Sequence, residues 1–422
     1  MRGPTPSPPT WLPPAAGAVA SQATLALGSF LLQLLAARAL GADGLGVFAM
    51  LLGSVIVATS VSSGLVGDPL TVLDRQDPAI RAALARLAVV TVAGATTAAF
   101  ALTWGLGLLP PRTAALFAAA TGAFMAADLL RRTMMACQRF WRLVHVDVCA
   151  LLAGLSLLVL LSRGQLTVDS FLAALLVGQL VACTASLRSL PRAERSLPTR
   201  APGGLRAVLS FGSWRAVQQL VRPTTLNLVR WLVLVAAGQA AVGELEAARL
   251  LAAPAMMFVQ GVGSYLFASY AAGRDEPMSA LLRRADRGAA ALLAACAVVA
   301  VVATACTGLV GPVLTGGRFE LAPLAVLGWA VYAASCAVVL PYGTLAAVRG
   351  DQAEVFGLRV ADSLAGLGAT AVALLWVGLP IWAAPWLLAA GSVAAGAACR
   401  QRLLVPRRHE QPLPARERAV LS

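Results

Sequence analysis

Apolar runs long enough to cross a bilayer, about 17 to 25 residues each, recur along this chain with short polar gaps between them. They fall at 15–37, 45–67, 85–109, 113–130, 143–161 and 166–187. A hydrophilic stretch, RSLPRAERSLPTRAPGGLR, interrupts the pattern, which resumes at 213–237, 246–271, 289–313, 320–346, 358–379 and 382–404. The spacing predicts an all-α polytopic membrane protein of about twelve transmembrane helices. Its expected organisation is a disordered Pro-rich lead (1–14), a six-helix lobe (15–190), a basic linker (191–207), a second six-helix lobe (208–404) and a basic tail (405–422).

The polar punctuation repeats. ARALGADGLGVFAMLLG, from Ala37, matches LVAAGQAAVGELEAARLLAAP, from Leu234, and pairs Gly41 and Gly46 with Gly238 and Gly243. Glycine at such a gap suits a tight turn and lets two helices approach closely. The loops DPLTVLDRQDPAIRAALAR and AGRDEPMSALLRRADRG also correspond, as do ACQRFWRLVHVD and AVRGDQAEVFGLRVAD. Six spans per repeat give both halves one orientation. That predicts a parallel repeat about an axis along the membrane normal, with a substrate path and central cavity between the halves.

Charge orients the spans. Arginines gather after even-numbered runs, as with Arg131, Arg132, Arg139 and Arg142, or Arg283, Arg284 and Arg287, while odd-numbered gaps hold few. By the positive-inside rule both termini lie in the cytoplasm. The same rule requires 213–237 to cross, since otherwise every later basic loop would fall on the wrong side.

That seventh run is the unusual one. FGSWRAVQQLVRPTTLNLVRW, Phe211 to Trp231, is polar for a span. On a helix Gln218, Arg222, Arg215, Gln219 and Arg230 fall within an arc of about 120°, with Asn227 at its edge. Its repeat partner, 15–37, carries Gln22, Ser29 and Gln33 within about 40° of one another. An arginine at the bilayer centre costs about 2.5–3.5 kcal/mol on insertion scales, and no acid lies within a turn of Arg222 on its own helix. Two readings follow: structural arginines bonded to carbonyls or to an acid of another span, or an anion site in a wet cavity. Arginine suits bidentate capture of phosphate oxygens. The candidate substrate-binding residues are therefore Arg215, Gln219, Arg222, Asn227, Arg230, Gln22 and Gln33. Pro223 suggests a kink beside Arg222. The acids, including Asp68, Asp128, Asp147, Glu246 and Asp362, are expected at or near span ends, which leaves no buried carboxylate for a proton or sodium relay. An anion leaving an inside-negative cell gains about 2.3 kcal/mol per charge per 100 mV, so export could be driven without one.

Composition agrees with a membrane protein and removes other classes. Of the 422 residues, 59% are hydrophobic and 12% charged, and mean hydropathy is +0.78. The net charge of +14 comes from 33 basic residues, all arginine. The positive-inside rule accounts for that excess, so no nucleic-acid partner is inferred. Seven scattered cysteines without a C-x-x-C pair and only two histidines argue against a metal site. With no catalytic constellation or phosphate-binding glycine loop, no enzyme activity and no cofactor are expected.

The turn ARALGADGLGVFA, the R-F-W-R loop after the fourth span and VGELEAARLLAAPAMMF together resemble the O-antigen and capsule flippases of the multidrug/oligosaccharidyl-lipid/polysaccharide exporter superfamily. The resemblance implies two six-helix lobes, alternating access, and a cationic cavity lined by the first two helices of each lobe. Arg215, Arg222 and Arg230 lie on one such helix and Gln33 on its partner. The implied cargo is an undecaprenyl-diphosphate-linked oligosaccharide, moved to the outer leaflet of a bacterial cytoplasmic membrane for cell-surface polysaccharide synthesis. Partners implied are that lipid-linked glycan, membrane lipids, a polysaccharide polymerase and glycosyltransferases. Two alternatives stand beside it. A multidrug exporter of the same superfamily would need acids and aromatics in its cavity, and a membrane polysaccharide polymerase or glycosyltransferase would need acidic residues in long outer loops.

Overall fold

A computed structural model describes residues 14–74, 76–195, 203–272, 276–348 and 352–408. Most of the Pro-rich lead, the middle of the basic linker and the end of the basic tail lie outside the described residues. Within them the chain is helical and no strand is present.

The first helix runs Pro14–Ser62 and is broken at Gly41 (φ 71°, ψ −170°). We label its arms α1 (14–40) and α2 (42–62). A π turn at Ser63–Gly67 and a short helix at Asp68–Val72 extend α2. Then follow α3 (Pro78–Gly105), α4 (Pro111–Ala136), α5 (Phe140–Leu161) and α6 (Val168–Ser189). The second half repeats the plan. Leu205–Ala272 is broken at Gly238 (φ 86°, ψ −177°) into α7 (205–237) and α8 (239–272). It continues with α9 (Met278–Ala305), α10 (Pro323–Val348), α11 (Gln352–Leu375) and α12 (Ala383–Ala398), the last prolonged by a π turn at Cys399–Leu404. Among the described residues nine helices are long and apolar enough to cross a membrane, two of them broken into pairs, and Ala383–Ala398 lies at the twelfth apolar run. Pro223 lies inside an uninterrupted α7, and the break comes at Gly238. Both matched glycines adopt a left-handed φ with extended ψ, a conformation essentially reserved for glycine.

Long apolar side chains stay exposed along these helices: Val159 is 71% accessible, Val301 70% and Leu364 65%. In water such faces would be a liability. In a bilayer they meet acyl chains, and helix cohesion comes from small residues and polar contacts instead.

Packing divides the described chain into two compact units, 14–32 with 58–217, and 33–57 with 218–408. Each unit therefore includes a segment from the opposite sequence repeat. In the first unit Val66, Ala83, Leu84, Leu129 and Val208 form one buried cluster, and Leu143, Val146, Met134 and Leu190 belong to another. In the second, Val229, Val233, Leu245, Val326, Trp329 and Leu388 share a core with Met50 of α2. There the Trp329 indole N–H donates to the Leu245 carbonyl at 2.9 Å.

Candidate functional site

The three arginines of α7 occupy three different environments. Arg215 belongs to the first unit, where its Nε donates to Asp68 at 2.6 Å. Asp68 also pairs with Arg132 at 3.3 Å. Arg132 in turn bonds Asp128 at 2.9 Å, and Asp128 accepts from Ser63 at 2.8 Å. This is a chain of alternating charges around the α2 extension. The segment that leads into α7 is seated there by glycines: a Cβ on Gly212 would strike the Leu65 carbonyl, and one on Gly64 the Ala216 backbone.

Arg230 belongs to the second unit and is almost fully buried. Its Nε donates to Glu246 at 2.8 Å, and Arg249 donates to the other oxygen of that carboxylate at 2.8 Å. Arg249 then reaches Gln33, whose Oε1 accepts at 2.9 Å. Glu246 is only 2% exposed, so an expectation fails here: this acid is not at a wet span end. Nor are Asp147 and Asp362, which lie well inside α5 and α11. Asp147 is held in the first unit by Arg131 at 2.6 Å and by the Ser21 hydroxyl at 2.8 Å. The reason is geometric. Arg230 precedes Gly238 by eight residues and Glu246 follows it by eight, so a turn at that glycine sets them side by side on neighbouring arms. A buried charge without such a partner would be untenable.

Asn227 stands one turn from Arg230. Its Oδ1 and the Arg230 guanidinium both crowd Gly53 of α2, where a Cβ would collide with each. Its amide nitrogen lies 3.4 Å from the Ser54 hydroxyl, while Oδ1 is buried without a hydrogen-bond partner. The structure thus gathers Arg230, Asn227 and Gln33 into one polar cluster. Gln219 lies further along α7, partly buried, and Gln22 is exposed on α1 in the first unit.

Arg222 differs from both other arginines. Its guanidinium lies 3.5 Å from Cys336 Sγ and 3.6 Å from Met256 Sδ, and 5.8 Å from the Tyr332 ring centroid. The sulfurs are weak acceptors, and the Tyr332 side chain offers its ring face and a hydrogen bond; none of these carries a formal negative charge when thiol and phenol are protonated. Two charges on α11 complete the neighbourhood. Arg359 repels Arg222 electrostatically, and Asp362 attracts both. Asp362 is fixed by the Ser392 hydroxyl at 2.9 Å, and its other oxygen abuts Gly391 of α12. Two cations therefore share one carboxylate, leaving a net positive charge inside the second unit. The residues that sequence reasoning left out here are Tyr332, Cys336, Met256, Arg359 and Asp362. They come from α8, α10 and α11, and no spacing along the chain links them to Arg222.

Among the described residues no cluster of three or more His, Cys, Asp or Glu side chains could hold a metal ion.

Comparison with solved structures finds the same fold in several transporters. An inward-facing multidrug-resistance MATE family transporter of the MOP superfamily superposes with a TM-score of 0.70 at 12% identity, over 92% of this chain and 98% of that one. An outward-facing MATE transporter gives 0.65 at 14% identity, over 92% and 94%. A MOP superfamily transporter from Pyrococcus furiosus gives 0.64 at 11%, with the same coverage. No family model and no curated protein matches the sequence.

Proposed function

We propose that this protein is a membrane exporter of the multidrug type, moving an amphipathic cargo outward by alternating access. The observation that carries the reading is the fold shared along 92% of the chain with transporters solved in both inward- and outward-facing conformations. The interior chemistry is compatible with it. A multidrug exporter needs interior acids and aromatics, and Asp362, Tyr332 and Trp329 supply both in the second unit. The positive-inside rule, applied to the basic gaps, favours cytoplasmic termini for such an exporter. The chain acts as a transporter, not an enzyme.

A second reading, translocation of an undecaprenyl-diphosphate-linked oligosaccharide, is favoured by one observation. Among the described residues the acid that acts on Arg222 is Asp362, and Arg359 shares it. That excess charge suits a diphosphate. Among the neighbours, the P. furiosus transporter is described as having a binding pocket of reversed polarity that suggests a different function, so an interior of unusual sign has a parallel in this fold.

Reconstitution into vesicles decides between the two. The assay follows efflux of a lipophilic cationic dye and, in parallel, translocation of a fluorescent polyprenyl-diphosphate oligosaccharide. Dye efflux that is enhanced in Arg222→Ala, with no glycan movement, supports the multidrug reading. Glycan translocation lost in Arg222→Ala supports the lipid-diphosphate reading. Movement of neither cargo by the wild-type protein would remove both.

A further inference from the structure

We propose that the outer ends of α4, α5 and α6 form a site for one phospholipid whose headgroup is a zwitterion with a primary ammonium, of the phosphatidylethanolamine kind. The inference goes beyond the exporter reading and does not depend on what the protein carries.

The three ends enclose an open cavity of about 730 Å³ within the first unit, a volume inside the range of small-molecule sites. Its polarity is graded along the helices. Arg112 stands in the first turn of α4 with Leu116 one turn deeper, and Asp169 in the first turn of α6 with Ala173 one turn deeper. From the third side α5, which ends here, brings Leu161 and, one turn before it, Leu157. Four helical residues advance about 6 Å, so a charged mouth gives way to an apolar wall within one turn. The headgroup layer of a bilayer is similarly thin, about 5–8 Å on each side. Ala115 and Ala173, on α4 and α6, carry too little bulk to fill the space between those helices. Ala115 and Leu161 are also exposed, which leaves the wall open to surrounding acyl chains. The gaps that form the mouth follow the third and fifth apolar runs, on the face opposite the arginine-rich gaps, so the positive-inside rule assigns the site to the outer leaflet.

The mouth carries one charge of each sign, and the two are only loosely joined. Arg112 Nε lies 3.8 Å from Asp169 Oδ2, beyond hydrogen-bond range, and the Arg112 side chain is 85% exposed. Asp169 is fixed instead by the Thr113 hydroxyl, which donates to its Oδ1 at 2.7 Å. Ser170 is occupied by Thr167, whose N–H it accepts at 3.2 Å. No side chain caps α4, so the positive end of that helix adds to the charge of Arg112. A headgroup with its phosphate on Arg112 and its ammonium on Asp169 lies antiparallel to this pair and satisfies both. Guanidinium and phosphate match in geometry as well as charge. An anionic headgroup would set an uncompensated charge beside Asp169, and a trimethylated ammonium has no N–H to donate to the carboxylate.

The test uses the full chain purified in detergent. Phosphatidylethanolamine, phosphatidylcholine or phosphatidylglycerol of one acyl composition is titrated in, and bound lipid is read by native mass spectrometry. Phosphatidylethanolamine should bind about tenfold more tightly than phosphatidylcholine, the contribution of one charge-assisted hydrogen bond. Its N,N-dimethyl form keeps one N–H and should retain the advantage. Asp169→Asn should remove the preference, Arg112→Gln should weaken both zwitterionic lipids, and Ala173→Leu should weaken all three by filling the wall. Arg163→Gln, at an exposed residue of the same gap that does not line the cavity, should change nothing. Asp169 also holds Thr113, so the Tm of each variant is taken without lipid. Should Asp169→Asn fail to fold, the methylation series on the wild-type chain, with Arg112→Gln and Ala173→Leu, carries the test. Equal affinity of the wild-type chain for phosphatidylethanolamine and phosphatidylcholine overturns the proposal, as does unaltered binding in folded Ala173→Leu. Tighter binding of phosphatidylglycerol would make Arg112 a plain anion site and overturns it too.

Discussion

Arg222 and Arg230 sit eight residues apart on one helix, yet they solve the problem of a buried cation in opposite ways. Arg230 is 7% exposed and meets Glu246 at 2.8 Å, with Arg249 completing the carboxylate's coordination. Arg222 meets two sulfur atoms and an aromatic face. In the first arrangement a carboxylate touches the guanidinium directly, and the guanidinium is packed against Gly53. In the second the acid, Asp362, attracts Arg222 without a hydrogen bond to it. Each sets two arginines against one acid, so direct contact is what separates them. Residue type and helical face are therefore poor guides to whether an intramembrane arginine is structural or available to a ligand; the counter-ion decides. Arg215, partly exposed and sharing Asp68 with Arg132, is a third case, nearer to a surface ion pair.

The contrast can be broken most directly at Glu246. Glu246→Gln leaves Arg230 and Arg249 without their acid, and a buried charge deprived of its partner typically costs about 3–5 kcal/mol. Thermal unfolding in detergent should show a large fall in Tm, partly restored by adding Arg230→Gln; an unchanged Tm would mean that Arg230 finds another acceptor. Gly53→Ala comes next. Its methyl group would intrude on Asn227 and Arg230, and overpacking of this kind costs about 1–3 kcal/mol. The loss should disappear when Arg230 is shortened as well, if the clash is with that side chain. Arg222→Met should change stability by no more than about 1 kcal/mol, because exchanging a poorly paired buried charge for a hydrophobe is often neutral. A Tm drop as large as that of Glu246→Gln would make Arg222 structural after all. Arg215→Ala should have the smallest effect, below about 1 kcal/mol, as expected for a pair in which one side chain is 40% exposed. Raising the salt concentration should shrink it further.

Much of the architecture was readable in advance because it depends on local properties. Twelve apolar runs became helices, and the glycines matched at Gly41 and Gly238 proved to be the two positions where a long helix breaks. Pro223 lies within a continuous α7, since a helix in this setting tolerates the lost hydrogen bond when neighbours support it. The acids were misjudged for a related reason. Distance from the end of an apolar run does not reveal that a glycine turn has brought Glu246 beside Arg230, or that Asp362 faces α12 through Ser392.

Composition and periodicity alone pointed to a helical membrane protein and placed the two matched breaks, because these follow from hydrophobic length and from glycine's freedom at φ above zero. Tertiary structure alone decided which arginines touch an acid directly, that segments 33–57 and 205–217 pack with the opposite repeat, and that Gly46 lies against the Gln239 carbonyl and Gly243 against that of Ala42. Those outcomes depend on contacts between residues some two hundred positions apart, and no pattern within a single helix encodes them.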